Sequence, residues 1–392
     1  MGQLLFAAYI DPVRPDNQFS SRPRRFSLEN PMALAENPAA PAPPAAPAHP
    51  KQHNLHAARQ AYYERISSYD MAPLWEKLSQ LVADEPRTQC APAIWRFKEV
   101  KAMVMESAEL ISAKEAERRV LVLENPALRG QSRITQTLYA GLQLIMPGEV
   151  ATAHRHTASA IRFVIDGEGA YTSVEGERTT MAPGDFVLTA NWTTHDHGNT
   201  TDRPMIWLDV LDLPTINFFE TMFAEHAGEE SQSLNRAEGD SAAFYASGVL
   251  PDGVPVSLKC SPVVNYAYAR TRPILDRLRQ AGAVDKRHGA RVRYVNPVTG
   301  GWAMPTMGAQ LALLPQGFKG EHYRATDGTI FVCVEGEGVT RIAGKEFAWS
   351  PGDVFVAPPW LPYAHEAAKE SVLFSISDRP AQEALGIWRE IS

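Results

Sequence analysis

The stretch Gly148-Glu-Val-Ala-Thr-Ala-His154-Arg-His156 is answered downstream by Pro183-Gly184-Asp185 and by His195-Asp-His197-Gly-Asn199. Side chains alternate faces along a β-strand, so His154 and His156 project to the same side. The residues between them and His195 read as hairpins: Phe163-Val-Ile, the turn Asp166-Gly-Glu-Gly169, Ala170-Tyr-Thr-Ser-Val, the turn Glu175-Gly-Glu, then Pro183-Gly-Asp and Phe186-Val-Leu. Such a chain brings His195 in on a neighbouring strand. The spacing therefore predicts a metal site made by His154, His156 and His195 inside a barrel.

The pattern resembles the cupin superfamily. Its first motif is matched by Gly148, His154, His156 and Gly167, with Ala160 where the motif has glutamate. The second is matched by Gly184, His195 and Asn199, with Ala190 and Trp192 in place of its proline and glycine. Without the glutamate, three imidazoles leave half of an octahedral coordination sphere open, as the two-His-one-carboxylate triad does. A bidentate aromatic acid and dioxygen would fill those positions together. Imidazole suits Fe, Zn, Cu and Ni alike, so the ligands alone do not name the metal. Ligand histidines must be neutral, and metal affinity is expected to fall below roughly pH 6.5.

The 392 residues predict two domains. A formal charge of −7 argues against nucleic acid or an anionic membrane as partner. Cys90, Cys260 and Cys333 are far apart and odd in number, which suggests reduced thiols and a cytoplasmic location. No apolar run approaches the ~20 residues of a membrane span. The run Leu4-Leu-Phe-Ala-Ala-Tyr-Ile10 makes a poor signal peptide, being short and without a preceding basic residue.

Residues 1–55 read as a disordered tail, rich in Pro and Ala from Pro38 to Pro50, compatible with a linker or with a misplaced start site. Residues 56–132 read as a helical N-terminal segment, with one helix over Ala57 to Val82 and another from Lys98 to Arg119. In the second, Met103, Leu110 and Ile111 are expected to pack and Glu115/Arg119 to form a solvated pair. The first, metal-binding barrel is expected over 133–225. A linker with a short helix at Pro273–Arg279 follows over 226–285, and a second barrel over 286–392.

That second barrel is an internal repeat, about 168 residues on. Phe331-Val-Cys-Val-Glu-Gly-Glu-Gly338 mirrors the stretch from Phe163, and Pro351-Gly-Asp-Val-Phe-Val356 mirrors the stretch from Pro183. By this alignment His322 stands for His154, Arg324 replaces His156 and Tyr363 replaces His195, so the second barrel is expected to be metal-free. The fold class is thus all-β dominated: a bicupin of two jelly-roll barrels with an N-terminal helical extension.

From about Tyr62 onward the chain resembles the gentisate 1,2-dioxygenase family, which includes salicylate and 1-hydroxy-2-naphthoate dioxygenases. The resemblance is carried by Leu138-Tyr-Ala-Gly-Leu-Gln-Leu-Ile-Met-Pro-Gly148, by His154-Arg-His-Thr-Ala-Ser-Ala-Ile-Arg-Phe-Val164, by Asn191-Trp-Thr-Thr-His-Asp-His-Gly-Asn199 and by Ile206-Trp-Leu-Asp-Val-Leu-Asp212. It implies a mononuclear Fe(II), O2 as co-substrate, a small aromatic hydroxy acid as substrate, and a homotetramer. It also implies ring cleavage between the carboxyl-bearing and the adjacent hydroxyl-bearing carbons, giving maleylpyruvate from gentisate. Arg162 shares the parity of His156 and suits a two-point grip on a carboxylate. His197 shares the parity of His195 and is a candidate for moving a proton. Asp209, inside an apolar strand, needs a partner and is a candidate for orienting His197 or a ligand. Tyr139, Gly141 and Gln143 share a face as candidate pocket lining, Arg118 is a candidate second cation, and Trp192 reads as corner packing. A Tyr139 phenol could bind the distal hydroxyl that gentisate has and salicylate lacks. Competing readings are salicylate or 1-hydroxy-2-naphthoate as substrate, a bicupin decarboxylase, and a ligand-binding or storage bicupin without turnover.

Overall fold

The computed structural model describes residues 50–255 and 257–391. Most of the expected tail lies outside the described residues, although a helix already begins at Pro50. The described residues up to 77 and those from 78 onward are two compact units. In the first, the expected continuous helix over 57–82 is broken: Pro50–Ser67 and Leu74–Leu81 are separate helices, with Asp70 in a left-handed conformation and Pro73 between them. The Tyr63 hydroxyl donates to Glu76 (2.6 Å) and the Trp75 indole N–H donates to Tyr63 (2.8 Å).

The second unit holds two antiparallel double-sheet barrels. The first barrel has a six-stranded sheet, in order Asn265–Tyr266, Phe186–Thr189, Ala160–Asp166, Met205–Leu211, Tyr139–Ile145 and Val120–Val122. Facing it is a five-stranded sheet of Ala224–His226, Val150–His156, His195–Gly198, Tyr171–Val174 and Glu177–Thr180. The second barrel repeats the plan. Its six-stranded sheet runs Ala93–Trp95, Val354–Ala357, Thr329–Glu335, Ser371–Ser377, Gly308–Leu314 and Ala290–Arg293, opposite a four-stranded sheet.

The six-stranded sheets are buried on both faces, apolar on the outer one and with Gln143, Arg162 and Asp209 set into the inner one of the first barrel. Their outer faces share one core: Phe163, Phe186 and Leu208 with Ile330, Val354 and Phe374. The Phe163 and Phe374 rings stack at 4.0 Å. Phe331, Cys333, Phe355 and Leu373 fill the second barrel's interior. The first barrel's interior cluster is smaller, built on Val164, Val187 and Trp207, because its other half is the polar site.

Each repeat lends its leading strand and helix to the other barrel. Ala93–Trp95 pairs with Val354–Val356 of the second barrel, and Asn265–Tyr266 pairs with Phe186–Val187 of the first. The following helices begin at the two Pro-Gly-Asp corners: Phe97 N–H donates to Asp353 (2.8 Å) and Tyr268 N–H to Asp185 (2.8 Å). A Cβ at Gly184 or Gly352 would lie 2.6 Å from the Tyr268 ring or 2.7 Å from the Phe97 ring, and both glycines have φ near +85°. The segments read as helical over 56–132 and as linker over 226–285 therefore also supply sheet strands. The helix expected at Pro273–Arg279 spans Tyr268–Gln280.

The expected helix over 98–119 is corrected as well. It runs Phe97–Leu110, restarts at Ala113–Ala116 and gives way to the strand Val120–Val122. Ser112 caps the restart, and Glu115 closes the box by accepting the Ser112 N–H (3.0 Å). Arg119 is not a solvated partner of Glu115. It is buried and grips Glu149 with two bonds of 2.8 and 2.9 Å. Met103, Leu110 and Ile111 are exposed. Cys90, Cys260 and Cys333 are free thiols. Among the described residues no helix is long and apolar enough to cross a membrane.

Candidate active site

His154 and His156 lie on Val150–His156, and His195 lies on the paired strand His195–Gly198, directly across from His154. All three are buried, their ring centroids stand 4.1–5.1 Å apart, and one donor atom from each falls within 4.8 Å of the others. Outer contacts set the tautomers. His156 Nδ1 meets Ala158 O at 2.7 Å and His195 Nδ1 meets Thr193 O at 2.9 Å. A carbonyl only accepts, so both Nδ1 atoms carry hydrogen and both Nε2 lone pairs are free. His195 Nε2 is buried without any protein partner, a cost that a coordinated metal removes. Burial, with the charge of Arg118 and its neighbours, holds the His154 pKa down to about 2, and burial likewise lowers His156 and His195. The residues therefore fit a divalent transition ion, and proton competition in the folded chain sits lower than the expected pH 6.5.

The six-stranded sheet supplies the opposite wall. Arg162, Asp209 and Gly141 stand side by side on three adjacent strands. The Arg162 guanidinium is buried 3.3 Å from Asp209 Oδ1 and also donates to Thr189 Oγ1. Trp207 Nε1 donates to the same Asp209 oxygen at 3.1 Å. Burial pushes the Asp209 carboxyl up to about 6, while Arg162 and the indole N–H pull the other way. Asp209 thus serves Arg162 and Trp207; among the described residues the expected link to His197 or to a histidine of the triad is absent. His197 is fully buried, with Nδ1 2.9 Å from Thr172 Oγ1 and an orphaned Nε2. Arg118 follows Glu117, whose φ is +52°. It donates to Thr152 O (2.8 Å) and meets His154 Nδ1, which places a second cation at the edge of the triad.

Gly141 is required by close approach. A Cβ there would lie 2.4 Å from Val120 Cγ1 and 2.9 Å from the Tyr139 hydroxyl, so the glycine opens the room that the phenol uses. Gln143 is buried opposite Trp207. Trp192 adopts φ +63° at a corner, with the Arg155 guanidinium 4.7 Å over its ring and Phe223 at 4.6 Å. Thr172, Thr189 and Trp207 were not anticipated. Trp207 could have been found by its parity with Asp209, whereas nothing local marks the two threonines.

In the second barrel the ligand places carry no donor set. Tyr323 bridges Tyr363 as His154 pairs with His195. Trp360 N–H bonds to Ala325 O as Trp192 N–H bonds to His156 O. The occupants are thus Tyr323, Ala325 and Tyr363, and the alignment that put His322 and Arg324 there is off by one residue. A one-residue slip moves every side chain to the other face. His322 is exposed. The same slip puts Phe331, not a counterpart of Phe163, in the place of Arg162: Phe331 pairs with Phe355 as Arg162 pairs with Val187.

A cupin domain matches residues 141–211 and 310–376. The chain is 52% identical over 332 residues to gentisate 1,2 dioxygenase 1 of Aquipseudomonas alcaligenes, covering 85% of this chain and 96% of that protein. It is 31% identical to a 1-hydroxy-2-naphthoate 1,2-dioxygenase of Nocardioides sp., covering 85% of this chain and 88% of the other. Among solved structures, salicylate 1,2-dioxygenase of Pseudoaminobacter salicylatoxidans, in its gentisate adduct, superposes with a TM-score of 0.80 at 32% identity, over 89% of this chain and 96% of that one. With its three buried imidazoles, its facing arginine and this extent of likeness, the chain belongs to the gentisate 1,2-dioxygenase family of two-barrel cupins.

Proposed function

We propose that the chain is an Fe(II)-dependent gentisate 1,2-dioxygenase that opens the ring between the carboxyl-bearing carbon and the adjacent hydroxyl-bearing carbon. Both atoms of O2 enter the product, so maleylpyruvate is gentisate plus two oxygen atoms, with no hydrogen or carbon lost. The observation that carries this reading is the buried triad of His154, His156 and His195 facing a buried arginine across one barrel. The three histidines would hold the iron, which when bound joins substrate and O2 and passes electrons between them.

The chain's own residues do the rest. Arg162 binds the substrate carboxylate through the guanidinium edge that Asp209 and Thr189 leave open, and Asp209 keeps that guanidinium in place. Arg118 adds charge at the rim, where it raises the local concentration of an anionic substrate. His197 presents Nε2 to the pocket, and burial beside these cations keeps its pKa well below the ordinary value. It is therefore a neutral group able to accept or return a ring-hydroxyl proton. The Tyr139 hydroxyl, in the room left by Gly141, bonds the distal hydroxyl, which favours gentisate over salicylate. Gln143 lines the floor. The family likeness supports a homotetramer, to be read by light scattering.

Oxygen uptake after anaerobic Fe(II) loading, measured over gentisate, salicylate and 1-hydroxy-2-naphthoate, tests the substrate. Gentisate is expected to give the highest kcat/KM. Uptake with another acid and none with gentisate would overturn the assignment. No bound iron and no uptake with any acid would favour a binding protein.

A further inference from the structure

The second barrel has lost the ligands but not its polar interior. Where the first barrel holds iron ligands and Arg162, the second holds a cavity of about 30 Å³ among His288, Arg291, Gln310, Tyr363 and His365, with Phe331 as one wall. One water needs roughly 10–15 Å³, so the space suits two or three water-sized groups and is too small for a benzene ring.

A cation has been kept, from a different strand. Phe331 stands in Arg162's place. Arg291 enters instead from the edge strand Ala290–Arg293, opposite Ala312, where the first barrel has Val120 opposite Gln143. Among the described residues Arg291 makes no ion pair. The other charged groups near the cavity have partners of their own, although Asp327 and Glu390 keep their negative charge. Arg379 Nε holds Glu383 at 2.7 Å, Asp327 accepts the Trp388 indole N–H at 2.8 Å, and Glu390 accepts the Tyr323 hydroxyl at 2.8 Å.

The neutral groups are donors. Burial, then Arg291, holds His288 down to about 2 and His365 down to about 3, so both rings are uncharged. Thr340 Oγ1 accepts the Trp349 indole N–H (2.9 Å) and lies 2.8 Å from His365 Nδ1. The indole takes one lone pair, and among the described residues the Thr340 hydroxyl hydrogen meets no acceptor other than Nδ1, so that hydrogen serves Nδ1 and the ring's own hydrogen stays on Nε2, toward the cavity. The Tyr363 hydroxyl is a further donor without a described partner. An unpaired guanidinium beside neutral N–H and O–H donors in a small, partly open space is complementary to one compact anion.

We propose that the second barrel binds a small monocarboxylate of the size of formate or acetate, with Arg291 as counter-charge and His365 and Tyr363 as hydrogen-bond donors. The test is the melting temperature of the iron-loaded full chain against sodium acetate, with ionic strength held constant by sodium chloride. The expected result is a rise on the order of 2–5 °C at acetate well above Kd, growing with the logarithm of its concentration. The rise persists in Arg162→Met, which removes the carboxylate grip of the first barrel, and disappears in Arg291→Met. Tyr363→Phe removes one hydroxyl and displaces the curve to about tenfold higher acetate, which keeps the test available if Arg291→Met does not fold. No rise above the chloride control overturns the proposal. So does a rise unchanged in Arg291→Met or in Tyr363→Phe, one lost in Arg162→Met, or an equal rise with sulfate.

Discussion

Replacing Arg162 with methionine separates what the arginine does for the fold from what it does for the substrate. Its side chain and that of Asp209 are 4% and 7% exposed, and they lie 3.3 Å apart. Removing one member of such a buried pair costs about 3–5 kcal/mol, because the other charge is left behind. Replacing both with apolar groups, as in Arg162→Met/Asp209→Leu, is expected to come within about 1 kcal/mol of the original stability. The single variant should carry a pH signature. Asp209 already titrates near 6 with Arg162 pulling its pKa down, so loss of the arginine raises it further. A folded-state pKa above the unfolded 3.8 means that the folded chain holds more protons across that window, and stability drops as pH rises through it. In Arg162→Met the window extends above 6, and the loss is about 1.4 kcal/mol per pH unit. Melting curves at pH 6, 7 and 8 should therefore fall more steeply for the single variant than for the parent or the double variant. Turnover behaves differently. Hydrogen bonds to a charged group are worth about 1.5–3 kcal/mol, so kcat/KM for gentisate should fall roughly 10–150-fold in both variants. Recovery of turnover along with stability in the double variant would refute carboxylate binding by Arg162. A single variant with neither a stability loss nor the steeper slope would refute the account of Asp209.

Other consequences can be measured on the same preparation. Tyr139→Phe should lower kcat/KM for gentisate by about tenfold and leave any salicylate activity unchanged, since it removes one hydrogen bond that only gentisate makes; oxygen uptake reads both. His195→Ala should bring iron content by mass spectrometry far below one per chain and abolish uptake, because two imidazoles cannot complete the facial set. Thr172→Val should lower kcat more than it raises KM, and should displace the alkaline or acid limb of the pH–rate profile, since only the Nδ1 partner of His197 is lost. His365 is buried and held near 3, whereas in the unfolded chain it titrates near 6.5. The unfolded chain therefore gains the proton first as pH falls, and stability is lost below about pH 6.5. His365→Phe should make the stability–pH slope shallower there by about 1.4 kcal/mol per unit in urea unfolding, and an unchanged slope would refute it.

The first barrel was legible because its evidence is local. His154 and His156 are two apart on one strand, and Pro183-Gly-Asp is a turn that its own residues specify; parity with His156 singled out Arg162, although the chain leaves one sheet at His156 and enters the other at Ala160. The partners were less legible. Asp209 meets Arg162 because two strands that are distant in sequence lie in one register, and no spacing within either strand reports that. Arg119 looked like half of a helical pair with Glu115 because the i,i+4 rule presumes that the helix continues. Ser112 restarts it, and Arg119 instead finds Glu149. The leading strands Ala93–Trp95 and Asn265–Tyr266 are two or three residues long, too short for alternation to declare them.

The two barrels also show why a repeat in sequence can mislead about a site. Pro183 and Pro351 are 168 apart, but Arg162 and Phe331 are 169 apart, and both pairs are equivalent in the fold. One added residue between them leaves the hydrophobic content of the strand unchanged and reverses which residues face inward. Aligned at 168, the second barrel retains His322 and looks like a decayed copy of the first site. In the structure its interior is rebuilt from other positions: Tyr323 and Tyr363 across one bridge, Phe331 for the arginine, and a new arginine at 291. The Thr340–His365 contact nonetheless repeats Thr172–His197, although Thr172 donates its hydroxyl to Met181 Sδ and Thr340 accepts the Trp349 indole N–H. Burial and a nearby arginine hold His365 neutral in a barrel that lacks the three-histidine cluster. The presence of that contact in both halves therefore belongs to the barrel's polar interior in general, and what distinguishes the first half is the set of groups near His197: three clustered imidazoles and the Arg162–Asp209 pair.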